Sequence, residues 1–181
     1  MTRRASIVVL CEDKKSHMFL YRLLRERNIG SNRITVITDY PAEKGCGSAY
    51  VLNAYAAQVR KCRNRHASSA LLVHIDADQL TVDRRAQELA ERLSADGQAK
   101  RRADEPIAHA IPKHCIEAWI GYLMDMPADE EKPKEGWPRF TSEQWKHAAE
   151  NLATMLRSAE PWPADAPDSL TRARPEFQRV L

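Results

Sequence analysis

The chain has 181 residues, with 28 Lys or Arg against 25 Asp or Glu, for a formal charge of +3. With 43% apolar and 29% charged residues, it has the composition of a soluble globular protein, and one domain of this length buries roughly 70% of its unfolded surface. No apolar run approaches the roughly 20 residues needed to cross a bilayer. The run from Ile7 to Cys11, behind a basic start, is too short for a signal core and ends at Glu12-Asp13-Lys14-Lys15. Secretion and membrane insertion are therefore not expected, and a cytoplasmic location is.

In chain order, Ala5 to Cys11 is short, β-branched and nearly all apolar, which predicts a strand covered on both faces. Leu20, Leu23 and Leu24 then share one helical stripe. Ile34 to Thr38 predicts the second strand. Past a loop holding Gly45-Cys46-Gly47-Ser48, a helix over 50–65 sets Val51, Tyr55, Val59 and Cys62 on one face. Ala70 to Ile75 predicts the third strand. Val82, Ala86, Leu89, Ala90 and Leu93 give the apolar stripe of the next helix. Pro106 to Ile111 predicts the fourth strand, and Pro112 suits the first position of a following helix, where a missing N–H costs nothing. That helix turns Ile116, Trp119, Ile120 and Leu123 inward.

Beyond it, residues 127–138 read as an exposed, proline-punctuated loop. Thr141 with Gln144 forms a capping box for a helix reaching Leu156, and 169–181 closes with a short helix. Trp137, Trp145 and Trp162 fall in this part, where packing is their default role. The alternation predicts an α/β fold, a Rossmann-like parallel sheet of about four strands with helices on both faces. It occupies 1–126, and 127–181 is a loop and helical extension packed on the same domain.

The cysteines Cys11, Cys46, Cys62 and Cys115 form no C-x-x-C pair and read as reduced thiols. Cys46, Cys62 and His66 lack the close pairing and fourth ligand of a zinc site. The basic groups Arg60-Lys61 with Arg63 and Arg65, Arg84-Arg85, and Lys100-Arg101-Arg102 either track a nucleic-acid backbone or form solvated helix faces. No zinc finger, RNA-recognition signature or aromatic stacking platform is present, so sequence specificity is not expected.

The acidic residues fall at informative places. Glu12 and Asp13 follow the first strand, Asp76 and Asp78 follow the third, and Glu117 sits early in the helix after the fourth. In a parallel sheet these tips collect at the carboxyl edge, where such folds bind ligands. Carboxylates gathered there repel one another unless a cation compensates, and an all-oxygen, highly charged donor set suits Mg²⁺ or Mn²⁺. Taken singly, each has an ordinary explanation: Asp78 as a cap for the helix holding Val82, Glu12 and Glu117 as solvated side chains. A D-x-D motif joined to a strand-end Glu is harder to explain that way.

With Val8-Val9-Leu10-Cys11-Glu12-Asp13, Leu72-Val73-His74-Ile75-Asp76-Ala77-Asp78 and Ile111-Pro112-Lys113-His114-Cys115-Ile116-Glu117-Ala118-Trp119, the chain resembles Toprim-like proteins from Ile7 to about Leu123. That fold serves topoisomerases, primases and the OLD-family nucleases. The last block is similar to one in small bacterial Toprim-like proteins, several of which accompany an ATPase. Where the family usually has Gly after the strand-one Glu, this chain has Asp13.

The resemblance implies a Mg²⁺- or Mn²⁺-dependent nuclease acting on DNA or RNA in a bacterial anti-phage or DNA-processing system, with an ATPase partner. Glu12 is then the general acid/base or a metal ligand, Asp76 and Asp78 are metal ligands, and Glu117 supports a second cation. Asp13 either extends that set or caps its helix. Lys113 is a candidate phosphate contact and His114 a candidate proton carrier, on one side of a helix that also presents Glu117. Lys14, Lys15 and the helix-opening Gly45, Gly47 and Ser48 are candidate phosphate contacts, although a tight turn explains the glycines as well. The alternatives are a non-catalytic module that binds nucleic acid or docks on an ATPase, and a nucleotide-sugar transferase using D-x-D. The small size and the missing acceptor domain argue against the transferase. A homo-oligomer is compatible with either of the first two.

Overall fold

Two apolar strands dictate the layering. In β1 (Ser6–Leu10) and β3 (Ser69–His74) successive side chains point to opposite faces, and almost all of them are buried. Such strands need cover on both sides. The computed structural model, which describes residues 6–39, 47–65, 69–127 and 129–181, supplies it. β2 (Ile34–Val36) and β4 (Ile107–Ala110) complete an all-parallel sheet in the order β2-β1-β3-β4. Val8 pairs with Thr35 on one side and with Leu71 on the other, and Leu72 pairs with Ala108.

Among the described residues, six α-helices follow in chain order: α1 (Lys14–Glu26), α2 (Gly47–Asn64), α3 (Val82–Ala95), α4 (Ile116–Leu123), α5 (Ser142–Arg157) and α6 (Asp168–Gln178). One hydrophobic cluster joins Ile7, Val9, Ala70 and Leu72 to α1, α4, α5 and α6. The other joins Leu10, Leu71, Val73 and Ile75 to α2 and α3. The fold is α/β with helices on both faces, and the C-terminal helices belong to the first cluster. Phe19 of α1 meets Trp145 of α5 edge to face, and Trp119 of α4 donates to Ser169 Oγ of α6 at 2.8 Å. The capping box at Thr141 and Gln144 opens α5.

β4 lies at the sheet margin, where an unpaired edge invites aggregation. Here α6 covers it: Glu176 accepts the His109 backbone N–H at 2.8 Å and pairs with Arg101. No helix among the described residues is long and apolar enough to cross a membrane.

Three local expectations are corrected. Pro112 does not open a helix, because α4 begins only at Ile116 with Cys115 as its N-cap. Pairing of β3 with β4 continues past the formal strand ends, with Ile75 N–H donating to Ala110 O and Ala77 N–H to Pro112 O. Pro112 is thereby held in extended chain. Asp78 does not cap α3, since Thr81 does, its hydroxyl oxygen accepting the Arg84 N–H. On α3 the buried positions are Arg85, Leu89 and Leu93, whereas Val82, Ala86 and Ala90 are only partly covered.

The basic groups are largely committed within the fold. Arg60 pairs with Asp96, Arg63 with Glu105, Arg84 with Glu91, Arg101 with Glu176, and Arg102 with Asp104. Cys11, Cys62 and Cys115 are free, buried thiols. Cys46 and His66 lie outside the described residues.

Candidate functional site

The strand order makes the gap between β1 and β3 the place where successive crossovers run to opposite sides. In open parallel sheets such a switch point is where ligands bind, beyond the carboxyl ends of the strands. Glu12 follows β1 and Asp76 follows β3, and the Asp76 backbone N–H donates to Glu12 Oε1 at 3.0 Å. This bond ties the segment after β1 to the segment after β3 and fixes the Glu12 carboxylate. Gly47, first residue of α2, abuts the same side chain. A Cβ there would come within 2.8 Å of Glu12 Cβ and 3.3 Å of Glu12 Oε2, so the close approach of α2 requires glycine.

Asp76 and Glu117 are buried, each about 5% exposed. Asp76 Oδ1 and Glu117 Oε2 have no hydrogen-bond donor. Buried carboxylate oxygens without donors are costly, and two at one crevice form an electron-rich pocket. Burial pushes the Glu12 carboxyl up to about 7, and Asp78 and Asp13 add to the rise against the Asp76 N–H and Lys134. Burial and then Glu12 hold Asp76 well above the ordinary carboxylate range. His74, at the end of β3, is fully buried, with neither ring nitrogen hydrogen-bonded and Nε2 3.5 Å from Asp76 Oδ1. Burial lowers it to about 4, so it is neutral near pH 7.

The remaining candidates separate. Asp78 adopts a left-handed backbone, φ 55°, and pairs its carboxylate with Arg85 at 2.9 Å. Lys113 and His114 lie before α4 rather than on it, and both face Glu131, at 3.7 and 3.5 Å. They therefore do not share a helix side with Glu117, because the strand-like course of Pro112 holds them in a loop. Lys14 and Lys15 are exposed in the first turn of α1, where the helix dipole disfavours positive charge. Gly47 and Ser48 belong to the first turn of α2, whereas Gly45 lies outside the described residues. Asp13 is the N-cap of α1, accepting the Ser16 N–H at 2.8 Å.

Two positions that contact these carboxylates escape sequence reasoning. Arg85 reads as half of a basic pair, yet it is buried. Its guanidinium donates to Asp76 O at 2.8 Å, to Ala77 O, to Asp78 and to Glu88, clamping the whole Asp76–Asp78 turn. A signal existed, since Arg85 precedes Leu89 and Leu93 by one and two helical repeats. Lys134 gave none. It lies in the 3₁₀ turn Lys134–Gly136, with its ammonium 3.8 Å from Glu117 Oε1 and 4.0 Å from Asp13 Oδ2. Burial opposes that charge, but Glu117, Asp76 and Asp13 outweigh it and hold the ammonium above its ordinary pKa.

The carboxylates are thus gathered but not converged: among the described residues no three His, Cys, Asp or Glu side chains form a group that would hold a metal ion as it stands. Compared with protein-family models, curated proteins and solved structures, the chain matches none.

Proposed function

We propose that the chain is a divalent-metal-dependent nuclease of Toprim-like type, hydrolysing phosphodiesters of DNA or RNA at the carboxyl edge of its sheet. The observation that carries this reading is the pair of buried, donorless oxygens, Asp76 Oδ1 and Glu117 Oε2, beside a Glu12 carboxylate fixed across the switch point. Oxygen donors of this number and charge fit a hard cation, Mg²⁺ or Mn²⁺. Glu12, Asp76 and Glu117 would hold it, and Asp78 remains with Arg85. When bound, such an ion polarises the phosphoryl group and lowers the pKa of a coordinated water.

The chain's own residues do the rest. Glu12, held by the Asp76 N–H, serves either as a ligand of that ion or as the base that takes a proton from an attacking water. The Asp76 N–H orients that carboxylate, and Arg85 fixes the turn from which the N–H comes. Lys14 and Lys15 offer exposed positive charge beside the crevice to a polynucleotide backbone. An ATPase subunit is part of the same proposal, as a partner that delivers or remodels the substrate.

The test is cleavage of single- and double-stranded DNA and RNA by purified protein with Mg²⁺, Mn²⁺ or chelator. Metal-dependent cleavage is expected, lowered by about 100-fold or more in Asp76→Ala and Glu12→Gln. Cleavage that survives both substitutions overturns the assignment.

A second reading, a non-catalytic module that binds nucleic acid or docks on an ATPase, draws on a different observation. Arg85 already neutralises Asp78, and Lys134 already stands among the other carboxylates. On that reading the protein neither cleaves nor takes up Mn²⁺.

A further inference from the structure

α1 carries positive charge where the fold gains little from it. The helix holds Lys14, Lys15, Arg22 and Arg25 against one acid, Glu26, and Arg27 follows as its C-cap. Glu26 is taken by Arg22, which also reaches Glu150 of α5. Lys14 and Lys15, exposed in the first turn, stand where the helix dipole disfavours a cation. Lys14, Met18 and Arg25, at i, i+4 and i+11, share one exposed face of the helix. Met18 is the one large apolar side chain left exposed among the described residues.

The far end of this face gathers arginines. α1 and α5 finish together: Arg157, the last residue of α5, donates to Glu26 O. Arg25 donates to Ile29 O at 3.1 Å, and Arg174 of α6 donates to Ser158 O, next to Arg157, at 2.8 Å. The negative ends of two helices account for these bonds. They do not account for Arg27. Its Nε is buried without an acceptor, and burial, then the Arg157 charge, holds the guanidinium below its ordinary pKa. Among the described residues no carboxylate pairs with Arg25, Arg27, Arg157 or Arg174. Cations set against a dipole at one end of α1, and against each other at the other end, call for anions from outside the chain.

The face also starts in the right place, because Asp13 caps α1 and Glu12 directly precedes it. Its 13 residues make α1 about 20 Å long, the reach of about six nucleotides of one strand. We propose that the exposed face of α1, from Lys14 and Lys15 to Arg25 and Arg27 with Arg157 beside them, is the track on which a polynucleotide backbone lies as it leaves the crevice. This rests on the nuclease reading above and deepens it by naming the face that holds the substrate.

Fluorescence anisotropy of a labelled DNA single strand of about 20 nucleotides, with chelator present, tests the track apart from cleavage. For wild type, log affinity is expected to fall linearly with log salt. The double variant Arg25→Gln, Arg27→Gln is expected to bind more weakly and to lower that slope by about 1.4, two phosphate contacts at about 0.7 each. Arg92→Gln removes an exposed charge from α3, on the opposite face of the sheet, and is expected to leave the slope unchanged. Thermal melts check that the variants are folded. If the double variant is not, Arg27→Gln alone gives the readout, with a slope lower by about 0.7.

A strand bound with a slope that the α1 substitutions leave unchanged, or that Arg92→Gln changes as much per charge, overturns the track and leaves the nuclease reading standing. Polyglutamate that displaces the strand as well as unlabelled DNA does makes α1 the seat of an acidic protein and also overturns it. No strand bound by wild type overturns the track as well, and the cleavage assay above decides the nuclease reading separately.

Discussion

At the scale of single residues, Asp13 shows how one side chain serves two ends. One carboxylate oxygen accepts the Ser16 N–H and caps α1, and the other lies 4.0 Å from the Lys134 ammonium. The two roles respond differently to substitution. Asp13→Asn keeps a capping oxygen and is expected to leave the melting temperature nearly unchanged, because an exposed ion pair at this distance contributes little. Asp13→Ala removes the cap and is expected to cost about 1 kcal/mol in denaturant titration. Equal losses in the two variants would show that charge, not capping, is what Asp13 supplies. Gly47 is as constrained. Gly47→Ala drives a methyl into Glu12 Cβ, so any cleavage activity should fall even though α2 gains helix propensity. Glu12 and Asp76 could be picked out because each directly follows an apolar strand, and Glu117 because it sits early in the helix after the fourth. Lys134 was not, since a loop lysine between prolines and acidic residues carries no periodicity from which its neighbours can be read.

At the scale of elements, the strands were the most readable, and the segment after β4 the least. β1 and β3 announce themselves as unbroken apolar runs, and their parallel pairing follows from the alternation with helices. Where α4 starts depended on something no local pattern contains, the hydrogen bond from Ala77 to Pro112. That bond extends the sheet and moves Lys113 and His114 off the helix. α4 also has a tight side: its Gly121 receives the face of Trp137. Gly121→Val is therefore expected to cost about 1–3 kcal/mol through overpacking, measured by denaturant unfolding. Fluorescence of the displaced Trp137 should shift to the red, as an indole moved into water does. A variant as stable as wild type with an unshifted spectrum would show that the turn bearing Lys134 is not seated on α4.

At the scale of the whole molecule, stability couples to pH through histidines that the fold keeps neutral. His109, on β4, meets α2 and α6: its Nε2 lies 2.9 Å from the Tyr55 hydroxyl, and its backbone N–H is held by Glu176. Burial lowers it from 6.5 to about 3, with Arg101 and Arg179 lowering it further and Glu176 opposing them. Below pH 6.5 the unfolded chain takes up a proton on this ring that the folded chain refuses until about 3. The stability conferred by neutral His109 is thus fully present above pH 6.5 and is lost as pH falls toward 3. In His109→Gln a polar side chain remains for Tyr55 but no proton is taken up in the unfolded state. Denaturant unfolding at about pH 7.5 and about pH 5 should show wild type losing more stability between the two than the variant does. Equal losses would mean that the proton uptake driving acid unfolding lies at other groups, and that the α2–β4–α6 junction does not set the acid limit of the fold.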